Sequence, residues 1–192
     1  MSSPGEAESS RGVPALLLSG AAIGSAFWVM AWLELPPGGP AFMTAVAVAS
    51  AGYLAAVALL AMDAGVSRRV LLICLVLALG WRVPLVALPD AWSSDAVRYV
   101  WDARVQRAGL NPYDVRPEDE EVDWLHTDLT RGVDAAWLPT IYPPVAQLYF
   151  RSVAGIAESI RAFRLAALAC DVAIGLALLA LLRATGRPPG WV

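Results

Sequence analysis

The sequence has no lysine: all 14 of its basic residues are arginine. Together with the abundant alanine this reflects a GC-rich coding sequence and carries no mechanistic meaning. Charge is also scarce. Asp, Glu and Arg make up 16% of the chain, against about 25% in soluble domains, and the mean hydropathy is +0.57. That excludes an ordinary soluble domain and points to a membrane protein. There is one histidine, His126, and there are two cysteines, Cys74 and Cys170, each inside an apolar run. Neither a disulfide nor a metal pair is expected of them. No HExxH, CxxC, Walker loop or GxGxxG occurs, so zinc, nucleotide and dinucleotide chemistry have nothing to rest on. We expect no metal and no cofactor. A net charge of −3 gives no sign of a nucleic-acid partner.

What the chain does have is long apolar runs. They cover residues 13–33, 41–62, 70–88 and 163–182. Each is about 20 residues long, enough to cross a hydrocarbon core of about 30 Å at roughly 1.5 Å per residue. Arg82 and Pro84 interrupt the third run, and Arg164 and Asp171 lie in the fourth. The first run is too long for a signal-peptide core and lacks a small-x-small cleavage site, so it is read as a retained span. The expectation is an all-α membrane protein with about four transmembrane helices plus external juxtamembrane helices in a long loop. In this division residues 1–12 are a disordered N-terminus and residues 13–90 carry three spans. Residues 91–162 form the loop, residues 163–182 the fourth span, and residues 183–192 a tail.

Arginine placement orients the spans. Arg11 precedes the first, Arg68 and Arg69 follow the second, and Arg183 and Arg187 follow the fourth. Cytoplasmic loops favour basic residues. The N-terminus and tail are therefore expected on the cytoplasmic side of the cytoplasmic membrane, and the long loop on the outer side. Residues 90–162 carry 12 acids and 7 arginines, and long loops translocate largely regardless of charge. Residues 144–157 are apolar but short, with Arg151 among them, which fits a re-entrant or interfacial helix.

The loop holds the two most informative stretches, SSDAVRYVWDARVQRAGLNPY (93–113) and LPTIYPPVAQ (138–147). Residues 94–108 read as an amphipathic helix, with Val97, Val100, Trp101, Val105 and Ala108 on one stripe. Asp95, Arg98 and Asp102 lie on another face. Gly109 ends the helix as a C′ residue, and Asn111 with Pro112 forces a turn. Such a helix is expected along the outer membrane surface, with Trp101 and Tyr99 at headgroup depth. A carboxylate on its polar face suits general-base work on a sugar hydroxyl. Asp95 is equally a helix cap or dipole partner, and Asp102 equally an ion-pair partner of Arg98 one turn away. Tyr142, Pro143 and Pro144 form a rigid turn at a helix start. The acidic run 118–121 reads as a solvated loop. Arg82 either snorkels to the interface or holds a lipid phosphate. Asp171 finds a partner in Arg164, seven residues earlier on the same face.

These two stretches resemble bacterial integral-membrane glycosyltransferases of the GT-C superfamily, in the mannosyltransferase-like branch that uses polyprenyl-phosphate sugars. Ser93, Asp95, Arg98, Tyr99, Trp101, Asp102, Gly109, Asn111, Pro112 and Tyr113 match the first motif of that branch. Ile141, Tyr142, Pro143, Pro144, Ala146 and Gln147 match the second. Ser94 and Ala103 depart from it, standing where an acid and a glycine are usual, and RGVDAAW replaces a histidine-containing stretch. The resemblance implies an acidic base in this loop, with Asp95 at the matching position and Asp102 as the second candidate. Arg82, Arg98, Tyr99, Asn111, Tyr142 and Gln147 are the candidate substrate contacts. It also implies a polyprenyl-phosphate sugar donor, a glycan or glycolipid acceptor, and inverting hexosyl transfer outside the inner membrane. Members generally have eight or more spans, so this chain is expected to be their N-terminal portion, with a C-terminal membrane half as partner. The competing expectation is a non-catalytic membrane protein that binds a lipid-linked sugar or a partner subunit.

Overall fold

The structure is a computed structural model that describes residues 4–62, 68–88 and 94–186. Among the described residues it holds helices and turns but no strand. Six α-helices follow in order: α1 (Pro4–Trp32), α2 (Pro40–Met62), α3 (Arg68–Val86), α4 (Ser94–Arg107), α5 (Pro144–Ile156) and α6 (Ile160–Ala184). Two short 3₁₀-helices, Glu120–Leu125 and Thr130–Gly132, lie between α4 and α5. The chain divides into two compact units, residues 1–88 with 168–192, and residues 89–167.

The first unit holds the apolar helices. Three helical segments are long and apolar enough to cross a membrane: Val13–Trp32, Pro40–Ala61 and Ile160–Ala184. They accord with the all-α membrane fold expected from the apolar runs 13–33, 41–62 and 163–182. The third run does form α3, but its apolar part is the shorter Leu72–Val86. The N-terminus was expected to be disordered to residue 12. The backbone is already helical from Pro4, a residue suited to the first helical turn because its missing N–H is not needed there.

Small residues bring α1 close to its neighbours. Gly20 and Gly24, one turn apart, receive the indole of Trp81 from α3. A Cβ on Gly24 would stand 2.3 Å from Trp81 Nε1, and one on Gly20 would stand 2.7 Å from the ring. On α2, a Cβ on Gly52 would stand 2.8 Å from the carbonyl oxygen of Ser19. In a bilayer lipid tails are as apolar as leucine, so helices associate through such close backbone approach. By contrast, none of the apolar window of α6 is buried within the chain.

The second unit is built around α4. Its sequence is too polar for a span but has apolar residues on most of its circumference. Val100 and Ala103 pack with Phe150, Val153 and Ala154 of α5 and with Phe163. Trp101 and Val105 meet Val122 and Leu125 of the first 3₁₀-helix. Ala96 and Val97 meet Ile160. Residues 94–108 were expected to form a helix ended by Gly109, and α4 does so. Gly109 has φ +82, and Leu110 N–H reaches back to Val105 O at 3.1 Å, a Schellman ending. Trp101, expected at headgroup depth, is instead 1% exposed, because the chain after α4 folds back over the stripe. On α5 the buried side is Gln147, Phe150, Val153 and Ala154, while Val145, Leu148 and Ile156 are exposed.

Gly24→Val should lower the thermal stability of the full-length protein in a fixed detergent by the equivalent of about 1–3 kcal/mol, the usual cost of overpacking. Gly175, with nothing within 4 Å of a Cβ, supplies the control: Gly175→Ala should leave the melting curve in place.

Candidate active site

The two carboxylates on α4 differ in how far the rest of the unit covers them. Asp95, in the first turn, is exposed. Asp102, two turns later, is 1% exposed. Its carboxylate is met by donors from three directions. Arg98 Nε donates to Oδ1 at 2.9 Å. Thr140 Oγ1 and Gln147 Nε2 donate to Oδ2 at 2.5 and 2.8 Å. Arg98 reaches on to Leu138 O at 2.8 Å, and Gln106 Nε2 donates to Gln147 Oε1 at 2.7 Å. The network ties α4 to the second motif at Leu138, Thr140 and Gln147. Without a partner a buried charge is costly, and here each donor satisfies part of that demand.

Tyr99 and Tyr142 form a second cluster. The Tyr99 ring stacks on Phe150, centroids 4.3 Å apart, and meets Tyr142 edge-on at 5.2 Å. Edge-to-face and stacked rings of this kind hold one another in place. The Tyr142 hydroxyl is held well above the ordinary phenol range. Burial contributes most, followed by the neighbouring Tyr99, which also hydrogen-bonds it, and by the negative charges of Asp95 and Asp102. Its main chain is fixed too: Tyr113 donates its hydroxyl proton to Tyr142 O at 2.7 Å. Pro143 and Pro144 then start α5, with Pro144 as its first residue, as the sequence predicts. Asn111 closes its own turn, donating to Asp114 at 2.7 Å and accepting from Tyr113 N–H at 3.2 Å.

The structure therefore brings Arg98, Asp102 and Gln147 into one network and Tyr99 and Tyr142 into one ring cluster, with Asp95 close enough to act on Tyr142 electrostatically. Asn111 stands in the neighbouring turn. Arg82 belongs to the other unit, where it pairs with Asp171. Asp171 was expected to pair with Arg164; the structure gives it Arg82 of α3, since that guanidinium reaches it from the neighbouring helix. Ser93 lies outside the described residues. Sequence reasoning gave no role to Thr140 or Gln106. Thr140 stands inside the second motif, and Gln106 follows Asp102 by one turn, so both were visible as positions but not as partners. His126 was also unassigned: its ring stacks on Trp101 at 4.2 Å, and Nε2 donates to Pro117 O at 2.8 Å. Among the described residues no cluster of His, Cys, Asp and Glu could hold a metal ion.

Helices long and apolar enough to cross a membrane thus accompany a folded unit that carries one exposed and one buried carboxylate on a single helix. Residues 7–192 match the family described as alpha-(1->6)-mannopyranosyltransferase, N-terminal domain, and the chain belongs to that family. It is accordingly a glycosyltransferase-family domain. No curated protein and no solved structure matches it.

Asp102→Asn removes the charge and turns an acceptor into a donor facing donors. It should destabilise the protein by about 3–5 kcal/mol, the cost of breaking a buried ion pair, read as a lowered melting temperature in detergent. Asp95→Asn should leave that temperature unchanged. The Tyr142 shift has its own signature. Above pH of about 10 the unfolded chain releases the phenol proton while the folded chain keeps it, so stability falls as pH rises. Tyr142→Phe should flatten that alkaline loss in a pH series of melting curves.

Proposed function

We propose that this chain is the part of a mannosyl-transferring enzyme that carries the catalytic base, and that the base is Asp95. The donor is a polyprenyl-phosphate-linked hexose and the acceptor a hydroxyl of a glycan or glycolipid. The reaction takes place on the external face of the cytoplasmic membrane, where the unit of residues 89–167 stands. The complete enzyme includes a further membrane portion.

One contrast carries the reading: of the two carboxylates on α4, only Asp95 is exposed. A general base has to come within hydrogen-bond reach of the proton it removes. Asp102 is enclosed by Arg98, Thr140 and Gln147 and serves to hold the second motif on α4. Asp95 sits on the same rigid helix with the Tyr99 and Tyr142 rings beside it, a setting suited to orienting a sugar. In the transfer the acceptor oxygen attacks the anomeric carbon and the bond to the lipid phosphate breaks. Asp95 takes the hydroxyl proton, and the phosphate leaves with the bonding pair. A lipid-linked donor suits this face, because nucleotide sugars are confined to the cytoplasm.

The full-length enzyme, supplied with a polyprenyl-phosphate mannose donor and a mannoside acceptor, tests the assignment. Asp95→Asn should lower turnover by about 10²–10⁴-fold, the usual worth of general-base catalysis, with the protein still folded. Near wild-type turnover in that variant would remove Asp95 from the mechanism.

A further inference from the structure

One tyrosine takes no part in the function proposed above. Tyr113 follows Asn111 and Pro112 in the turn behind α4. Its ring is 40% exposed, so it adds little to the core of the loop unit. What is fixed is its polar end. Asn111 Oδ1 accepts from Tyr113 N–H, and Asn111 Nδ2 donates to Asp114 Oδ2, so the turn is closed by its own side chains. From that turn the Tyr113 hydroxyl reaches across 29 positions and donates to Tyr142 O at 2.7 Å. A second bond joins the same two stretches: Thr140 N–H donates to Pro112 O at 3.2 Å. The turn thus grips the second motif on both sides of Ile141.

The second motif needs an outside grip at this point. Pro143 and Pro144 have no N–H. The first bond of α5 runs from Gln147 N–H to Pro143 O at 3.1 Å, which leaves the carbonyl of Tyr142 one residue outside the helix. The Tyr142 N–H makes a long bond, 3.4 Å, to Thr140 Oγ1, an atom already engaged with Asp102. The Tyr113 hydroxyl is the shorter of these two holds on the main chain of Tyr142. Where that main chain stands decides where the ring stands, because the proline after it confines Tyr142 to extended backbone and so gives its Cβ one direction. The ring so placed meets Tyr99 and Phe150 edge-on, each at 5.2 Å. It lies close enough to Asp95 and Asp102 for their charges to act on its hydroxyl.

We propose that Tyr113 is a positioning residue of the transfer reaction: by holding the Tyr142 carbonyl it keeps the Tyr142 hydroxyl beside Asp95, where the two orient the acceptor sugar. The proposal rests on the reading of Asp95 as base given above and adds the group that places its neighbour. It also accounts for the residue type. A phenylalanine at 113 would fill the same space without a donor, and a serine would fall short of the carbonyl.

Two measurements on the full-length protein test this, one of them independent of activity. In an alkaline series of melting curves, wild-type stability falls as the unfolded chain gives up the Tyr142 proton that the folded chain keeps. Tyr113→Phe should flatten that loss part of the way towards Tyr142→Phe, because a ring no longer held in place gains water. A merely structural Tyr113 would lower the whole series and leave its alkaline slope as in wild type; that result overturns the proposal. In the transfer assay Tyr113→Phe should lower kcat by about three- to ten-fold, the worth of one neutral hydrogen bond, with the donor KM unchanged. Added to Tyr142→Phe it should cost nothing further, since residues that act through one another are not additive. An equal loss in both backgrounds would show that Tyr113 acts elsewhere, and the proposal fails. If the alkaline slope and the non-additivity appear as expected while Asp95→Asn keeps its turnover, the positioning role stands and the reading of Asp95 as base is what has failed.

Discussion

A carboxylate taken out of water has to be met by donors on each side that solvent has left, and Asp102 sets that requirement for the whole loop unit. Arg98 answers it from the same helix, Thr140 and Gln147 from the second motif. Because the donors come from separate parts of the chain, meeting the charge also fixes the backbone between them. The Leu138–Gln147 stretch is drawn onto α4, and the Tyr142 ring comes to rest against Tyr99 and Phe150. Apolar contacts around Val100, Ala103 and Phe150 supply most of the burial. Many apolar arrangements have similar energies, however, and the geometry of the network selects one of them.

The same helix thus carries two acids with opposite fates. Asp95 and Asp102 are seven residues apart, two turns, and so share a face of α4. What separates them is the rest of the unit. The second motif covers the Asp102 end of that face and leaves the Asp95 end exposed. A single α-helix can in this way hold one carboxylate as scaffold and leave the other for substrate.

Local features of this arrangement were legible in the sequence. The limits of α4, the left-handed Gly109 behind it and the proline start of α5 each depend on a few neighbouring residues, whose preferences are strong. The apolar character of α1, α2 and α6 was legible for the same reason. What the sequence did not reveal depends on distant partners. Periodicity showed Trp101 on an apolar stripe but could not say whether lipid or protein would cover it, and Val122 and Leu125 do. The acidic run before them reads as solvated loop, yet its last two residues begin a 3₁₀-helix whose apolar side closes that core. Arg98 was visible as a partner of Asp102, whereas Thr140 lies 38 positions away from it and nothing local marks it. Arg82 and Asp171, separated by 89 positions, are a further case: Arg164 was the nearer candidate along the chain, but Arg82 is the partner in space.

The spread of the Asp102 donors along the chain also bears on the order of assembly. When α4 has been synthesised, Arg98 is the one member of the network already present on it besides Asp102 and Gln106. Thr140 arrives 38 residues later and Gln147 45 residues later. Until then the carboxylate has to remain hydrated, and the stripe that ends up against α5 has nothing to pack on. Contacts of such long sequence separation form late and slowly. The nascent unit therefore passes through a stage in which a polar, water-bound α4 waits for its own sequel. An early stop before Val122 leaves a helix with a solvated acid and an uncovered tryptophan, a species with the features that chaperones and proteases recognise.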